Sequence, residues 1–290
     1  MDAQRIKLLA VALLVVALVA LPAGANQISN PGFETFGSAD SRIAQLGPDD
    51  IDWMRLFEND AAGDGQAYVD DNGLTNNNQI LPNDAIADWT VLGVVDLVSE
   101  GYWQAGSGEF SVDLSGSGPG GLYQAFDTSD RDLGDPGLHP VYAITFDLSG
   151  NSDNHDPGEQ NGVRTLEVLI GDGTPTINSL TPGDVTFSGA SGLLASGTFD
   201  FDTATLDIPD PEHDDAIADM QWSPRAMADF ELPDNAITEL TILVRSLNGD
   251  PYGPAIDNVS IELQGFAPEP ATLGVIASGG ACLLLRRRRR

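Results

Sequence analysis

Residues 141–149 read Val-Tyr-Ala-Ile-Thr-Phe-Asp-Leu-Ser. In an extended chain successive side chains point to opposite faces, so Tyr142, Ile144, Phe146 and Leu148 share one face and Val141, Ala143, Thr145, Asp147 and Ser149 the other. Large apolar groups at every second position mark a half-buried strand, and this period of two places the first set in a core. Comparable runs occupy 89–99, 109–116, 121–128, 163–171, 197–202, 237–247 and 254–263. Gly, Asp, Asn and Pro lie between them, which is the punctuation of an antiparallel β-sandwich. Outside the two apolar ends no long window keeps a helical period, so the expected fold is all-β.

Three stretches break the pattern: 37–84, 151–161 and 174–219, all acidic and rich in turn-forming residues. Long loops in a compact domain are functional or mobile, and these are read as surface insertions in one domain spanning 26–265. The alternative is a small separate module around Arg42 to Asp71, where Ile51, Trp53, Leu56 and Phe57 offer a local apolar cluster.

The two ends read as addresses. Arg5 and Lys7 precede an apolar run from Leu8 to Leu21, and Ala23 and Ala25 supply the small residues of a secretory cleavage site. Residues 1–25 are therefore expected to be a signal peptide, the alternative being an uncleaved N-terminal membrane helix. Residues 266–290 carry Pro268-Glu269-Pro270, an apolar run from Ala271 to Leu285, and five arginines. As a helix that run rises roughly 22 Å against a hydrocarbon core of about 30 Å. It is a marginal span, better suited to a stop-transfer signal than to a permanent anchor, with the arginines on the cytoplasmic side.

From Asn26 to Pro270 there are six basic residues, all arginine, against 43 acidic ones, a formal charge of −37. Such a surface repels nucleic acid and anionic lipid and excludes both as partners. It suits high salt or divalent cations, calcium among them. The one cysteine, Cys282, lies in the tail, so the body has neither an internal disulfide nor a thiol nucleophile. His139, His155 and His213 all sit in loop-like sequence, and no metalloprotease, nucleophile-elbow or phosphate-loop motif occurs.

The order Pro-Glu-Pro, apolar run, arginine cluster resembles a bacterial PEP-CTERM sorting signal. That resemblance implies recognition by a membrane exosortase, transient contact with the inner membrane through the apolar helix, and removal or exchange of the tail. The body, from "ISNPGFE" through "DWTVLGVVDLV", "FSVDLSGSGPGGLYQAFDTS" and "YAITFDLSGN" to "GPAIDNVSI", resembles the choice-of-anchor C and plant cell-wall domain-of-unknown-function family. This family is similar in turn to galactose-binding-like jelly rolls, among them carbohydrate-binding modules that open on N-x-G-F-E and close on a D-N-V strand. The resemblance spans roughly Ile28 to Leu263, and the acidic insertions depart from it.

It implies a jelly roll in which Glu34 and Asp257, at opposite ends of the sequence, lie on adjacent strands. A buried carboxylate is costly unless paired or bound to a cation, and related modules hold a structural calcium at this place. Glu34 and Asp257 are thus candidate calcium ligands, with carboxylates capping turn amides as the equal alternative. Sugar rings stack on aromatic side chains, and Trp53, Tyr102, Trp103 and Tyr252 are the candidate platforms, with Tyr68 a further one. Trp89, Tyr123, Phe146 and Trp222 match core positions.

The expected function is that of an exported, surface-sorted, non-catalytic β-sandwich that binds carbohydrate or acts in the extracellular polysaccharide matrix. A calcium-linked structural or adhesive protein without sugar specificity is the alternative. A glycoside-acting enzyme using a carboxylate pair is a third reading, although nothing in the sequence marks out such a pair.

Overall fold

The computed structural model describes residues 26–35, 53–57, 86–129, 138–151, 162–203, 219–232 and 237–268. The signal-peptide segment, most of the 37–84 stretch, Tyr68, and the tail from Glu269 onward lie outside these residues. Among the described residues no helix is long and apolar enough to cross a membrane.

Twelve strands follow in chain order: β1 (Trp53–Phe57), β2 (Thr90–Ser99), β3 (Phe110–Asp113), β4 (Gly120–Asp127), β5 (Leu138–Gly150), β6 (Val163–Gly171), β7 (Pro175–Ile177), β8 (Val185–Phe187), β9 (Leu193–Asp202), β10 (Ser223–Glu231), β11 (Glu239–Ser246) and β12 (Pro254–Pro268). Their spatial order is β10-β5-β12-β3-β2-β4-β11-β6-β9, with β1 also on β2 and β7 paired with β8. The ladders are antiparallel.

β2 belongs to both layers. Its first half, Thr90–Gly93, pairs with β4, and its second half pairs with β3 and β1. Between the halves Gly93 takes φ +64°, and a Cβ there would lie 2.5 Å from the Pro119 carbonyl oxygen, so only glycine turns this corner. The layers close over one core. Phe146 of β5 meets Phe199 of β9 edge to face at 4.9 Å, and Tyr142 stacks on Phe230 at 5.4 Å. Tyr142, Ile144, Phe146 and Leu148 are all buried, as their spacing requires. The fold is the expected all-β, antiparallel jelly-roll sandwich.

Three details depart from expectation. The 174–219 stretch is not simply a loop: β9 runs the length of β6 from Val163↔Asp202 to Gly171↔Leu193 and completes its layer. The β7–β8 hairpin covers Leu92, Leu169 and Leu243 on the outside of the same layer. Within 37–84, β1 adds a strand to β2 with Arg55 opposite Asp96. Finally, "ISNPGFE" is a turn, not a strand, because Asn30 and Phe33 have φ +47° and +62°. Asn30 clamps it, its side chain accepting from Thr35 N and donating to the Thr35 and Ala87 carbonyls.

Candidate functional site

The outer face of the first layer carries a row of polar side chains. Register pairs Arg55 with Asp96, Asp96 with Asp113, Asp113 with Ala255 and Ala255 with Ser149, across β1, β2, β3, β12 and β5. Directly paired residues present side chains on the same face. Their chain neighbours Leu56, Leu97, Val112, Ile256 and Leu148 point the other way and are buried.

Two carboxylates directly opposite each other repel. Arg55 offsets this by donating Nε to Asp96 Oδ1 and Nη2 to Asp96 Oδ2, both at 2.8 Å. Asp113 takes a different set of partners: Ser115 N donates to Oδ1 at 2.8 Å and Asn151 Nδ2 donates to Oδ2. Burial pushes the Asp113 carboxyl well above the ordinary carboxylate range and the charge of Asp96 pushes the same way, while its hydrogen bonds pull back. Burial also raises Asp96, with Arg55 opposing.

A cavity of about 150 Å³ opens over this row, lined by Arg55, Asp96, Val98, Tyr102, Trp103, Asp113, Asn151, Pro251 and Tyr252. Asp113 and Trp103 are buried and form its floor, Tyr102 and Tyr252 are half-buried, and Pro251 is exposed at the rim. The guanidinium of Arg164 lies 5.8 Å from the centre of the Tyr252 ring and bonds Asp250 at 3.2 Å, bracing that wall from behind.

Three of the four candidate platforms, Tyr102, Trp103 and Tyr252, therefore meet in one cavity. Trp103 departs from the expected open platform: its ring packs with Val98, Met220 and Ala255, and Nε1 donates to Ser111 Oγ at 2.7 Å. Trp53 pairs with Val98 in β1, and its side chain lies outside the described residues. Of the expected core aromatics, Trp89 and Phe146 are buried, whereas Trp222 is half-exposed and donates Nε1 to the Gln104 carbonyl.

Arg55, Asp96 and Asp113 were not singled out by the sequence. A signal was present: Val95-Asp96-Leu97 and Val112-Asp113-Leu114 repeat one apolar-acid-apolar triplet. An acid at the non-core phase of two apolar strands becomes informative once the strands are known to pair in register.

Glu34 and Asp257 are brought to one place, on the turn that follows Trp103. Asp257 Oδ2 accepts from Ser107 N at 2.9 Å and its Oδ1 from Asn258 N at 2.7 Å; Glu34 Oε1 accepts from Glu109 N at 2.9 Å and Phe110 N at 3.1 Å. Asp257 is fully buried, and burial raises its carboxyl to about 7 against those bonds, with the Glu34 charge adding to the rise. Calcium takes six to eight oxygen ligands. Here Asp257 Oδ1 and Oδ2 and Glu34 Oε1 accept from amide hydrogens, and among the described residues no group of three or more His, Cys, Asp or Glu is placed to hold a metal. The pair takes the capping role.

A family described as "Protein of unknown function (DUF642)" matches residues 65–173, which cover β2 to β6 and much of the cavity wall. A comparison with curated proteins finds no match. Among solved structures, the chain is similar to TmCBM61 in complex with β-1,4-galactotriose at 12% identity, covering 81% of this chain and 97% of that one, with a TM-score of 0.35. It is similar to a family 35 carbohydrate binding module from Clostridium thermocellum at 14%, covering 60% and 91%, with a TM-score of 0.32. A cyclase, Fisc, from Fischerella sp. TAU is similar at 17%, covering 85% and 99%, with a TM-score of 0.37. The family match falls inside the span over which the sequence resembles the plant cell-wall domain family.

Proposed function

We propose that this is an exported, surface-sorted protein whose sandwich binds carbohydrate without cleaving it, in the polysaccharide matrix outside the cell. One observation carries the reading: the Tyr102, Trp103 and Tyr252 rings converge with Arg55, Asp96, Asp113 and Asn151 on one cavity. Sugar sites combine aromatic surface for the C–H faces with polar groups that fix the hydroxyls. Asp96 and Asp113 sit side by side at the floor, on one side of any unit seated there. Hydrolysis needs two carboxyl groups flanking the scissile bond, so the arrangement favours holding over cutting.

The sorting part of the reading rests on the sequence. The Pro268-Glu269-Pro270 tail would be read by an exosortase as a PEP-CTERM signal, and the mature chain would lose Ala271 to Arg290. Intact mass of surface protein with the arginines retained would overturn this.

Calorimetric titration of the full chain with soluble polysaccharide fragments, with calcium and with chelator, tests the binding itself. Heat that disappears in Tyr102→Ala and Tyr252→Ala supports it. Calcium-driven self-association without sugar binding would instead favour the structural, adhesive alternative, and release of reducing sugar would favour an enzyme.

A further inference from the structure

Resting on that carbohydrate reading, we infer that the cavity takes the terminal unit of an uncharged sugar chain, gripped through two neighbouring hydroxyls by the Arg55–Asp96–Asp113–Asn151 row. Size sets the first part. The cavity holds about 150 Å³, below the roughly 300 Å³ at which pockets for drug-sized ligands begin. Its lining comes from β1, β2, β3, the turn after β2, the end of β5 and the segment before β12. A groove for an internal stretch of chain would follow alternate residues along neighbouring strands; these walls close around one spot.

Charge and hydrogen bonding set the second part. The described forks are already joined, Arg55 to Asp96 and Asn151 to Asp113. A hydroxyl both donates and accepts. It can accept from a guanidinium or amide N–H and donate to a carboxylate oxygen without breaking either pair, and two adjacent hydroxyls can address neighbouring members of the row. A uronate carboxylate would compete with Asp96 for Arg55 beside Asp113, in a body of charge −37. An amino sugar would compete with Arg55 for Asp96. The uncharged unit is the one that adds without displacement.

The test is calorimetry on the full chain with glucose, galactose, mannose and xylose, the matching di- and tetrasaccharides, glucuronate, galacturonate and glucosamine. The expected result is one neutral sugar whose monomer and tetramer bind within about threefold of each other, with its charged counterparts about tenfold weaker or more. Asp96→Asn should weaken binding by about tenfold or more at unchanged near-ultraviolet circular dichroism; Tyr252→Ala serves if that variant does not fold. A tetrasaccharide bound about tenfold more tightly than its monomer, or a uronate or glucosamine bound as well as the neutral sugar, overturns the inference and leaves carbohydrate binding standing. Absence of binding by every sugar overturns the carbohydrate reading itself, and binding indifferent to Tyr102→Ala overturns the inference by removing the sugar from this cavity.

Discussion

Asp96 and Asp113 are direct cross-strand partners on the outer face of β2 and β3, and Arg55 grips the first of them with both arms of its fork. Removing that fork leaves two carboxylates opposite each other in a half-closed site. Removing one partner of a buried pair costs about 3–5 kcal/mol, and the Arg55 side chain is 25% exposed, so Arg55→Met should cost about 2 kcal/mol. That is roughly 4–8 °C in melting temperature for a domain of this size. Arg55→Met combined with Asp96→Leu should recover most of the loss, and a double variant as unstable as the single one would contradict this account.

The acid pair at the turn makes stability depend on pH. Burial pushes the Asp257 carboxyl in the folded protein from 3.8 up to about 7. Between those values the native state holds a proton that the unfolded chain has released, so stability falls as pH rises through this window. Glu34, Asp96 and Asp113 are raised too and act in the same direction. Denaturation midpoints should therefore rise from pH 8 to pH 5. Asp257→Asn should reduce the slope by about one proton, and an unchanged slope would remove Asp257 from the explanation.

The turn itself depends on one glycine. Gly108 has φ +70°, and a Cβ there would stand 2.2 Å from Glu34 Oε1. Gly108→Ala should break the cap and cost about 1–3 kcal/mol. Because this turn directly follows Tyr102 and Trp103, sugar affinity should fall along with stability. Gly118→Ala, with nothing within 4 Å of the added carbon, is the matched control and should leave both unchanged within error.

On the other layer Arg245 is fully buried. It donates Nε to Glu167 at 2.7 Å and its terminal nitrogens to the Ser179 and Thr181 carbonyls at 2.6 and 3.0 Å, while Gly183 N donates to Glu167 at 2.6 Å. This cluster pins the β7–β8 connection to the sheet. Arg245→Met should cost about 3–5 kcal/mol by leaving Glu167 buried and unpaired, and limited proteolysis should then cut first between Ile177 and Val185. Arg245→Lys should rescue little, since an ammonium cannot reproduce the fork.

The strands legible in the sequence, β2 to β6, β11 and β12, carry apolar residues either at alternate positions, as in β5, or in near-continuous buried runs, as in β6 and β11. β10 was harder to see because it ends the strand order. Pro224 and Arg225 sit in it, and its register shifts between Met227 and Phe230. β1, β7, β8 and the first half of β9 were hidden in acidic sequence, where exposed faces dilute the apolar period; only 197–202 of β9 stood out. The aromatic half of the cavity was visible as Tyr102, Trp103 and Tyr252, because rings near turns stand out. Its polar half was not, because the partners come from four separate parts of the chain and only the strand register and the Asn151 bond to Asp113 join them. The Glu34 and Asp257 pairing was implied by the resemblance to a jelly roll, whereas the amides of Ser107, Glu109 and Phe110 that the two acids accept from depend on a local turn that composition does not encode.

β12 connects the cavity to the tail. Its first residues lie beside Asp113, and its last, Ala267 and Pro268, still pair with His139 and Leu138 of β5. A sugar held over Asp113 and a tether fixed beyond Pro268 would therefore pull along the axis of one strand of 15 residues, roughly 50 Å of ladder at 3.3 Å per residue. Load applied in that direction shears the β5–β12 bonds together instead of peeling them one by one. Single-molecule pulling between the cavity and residue 268 should give one high-force rupture, whereas a low, stepwise release would show that the strand unzips.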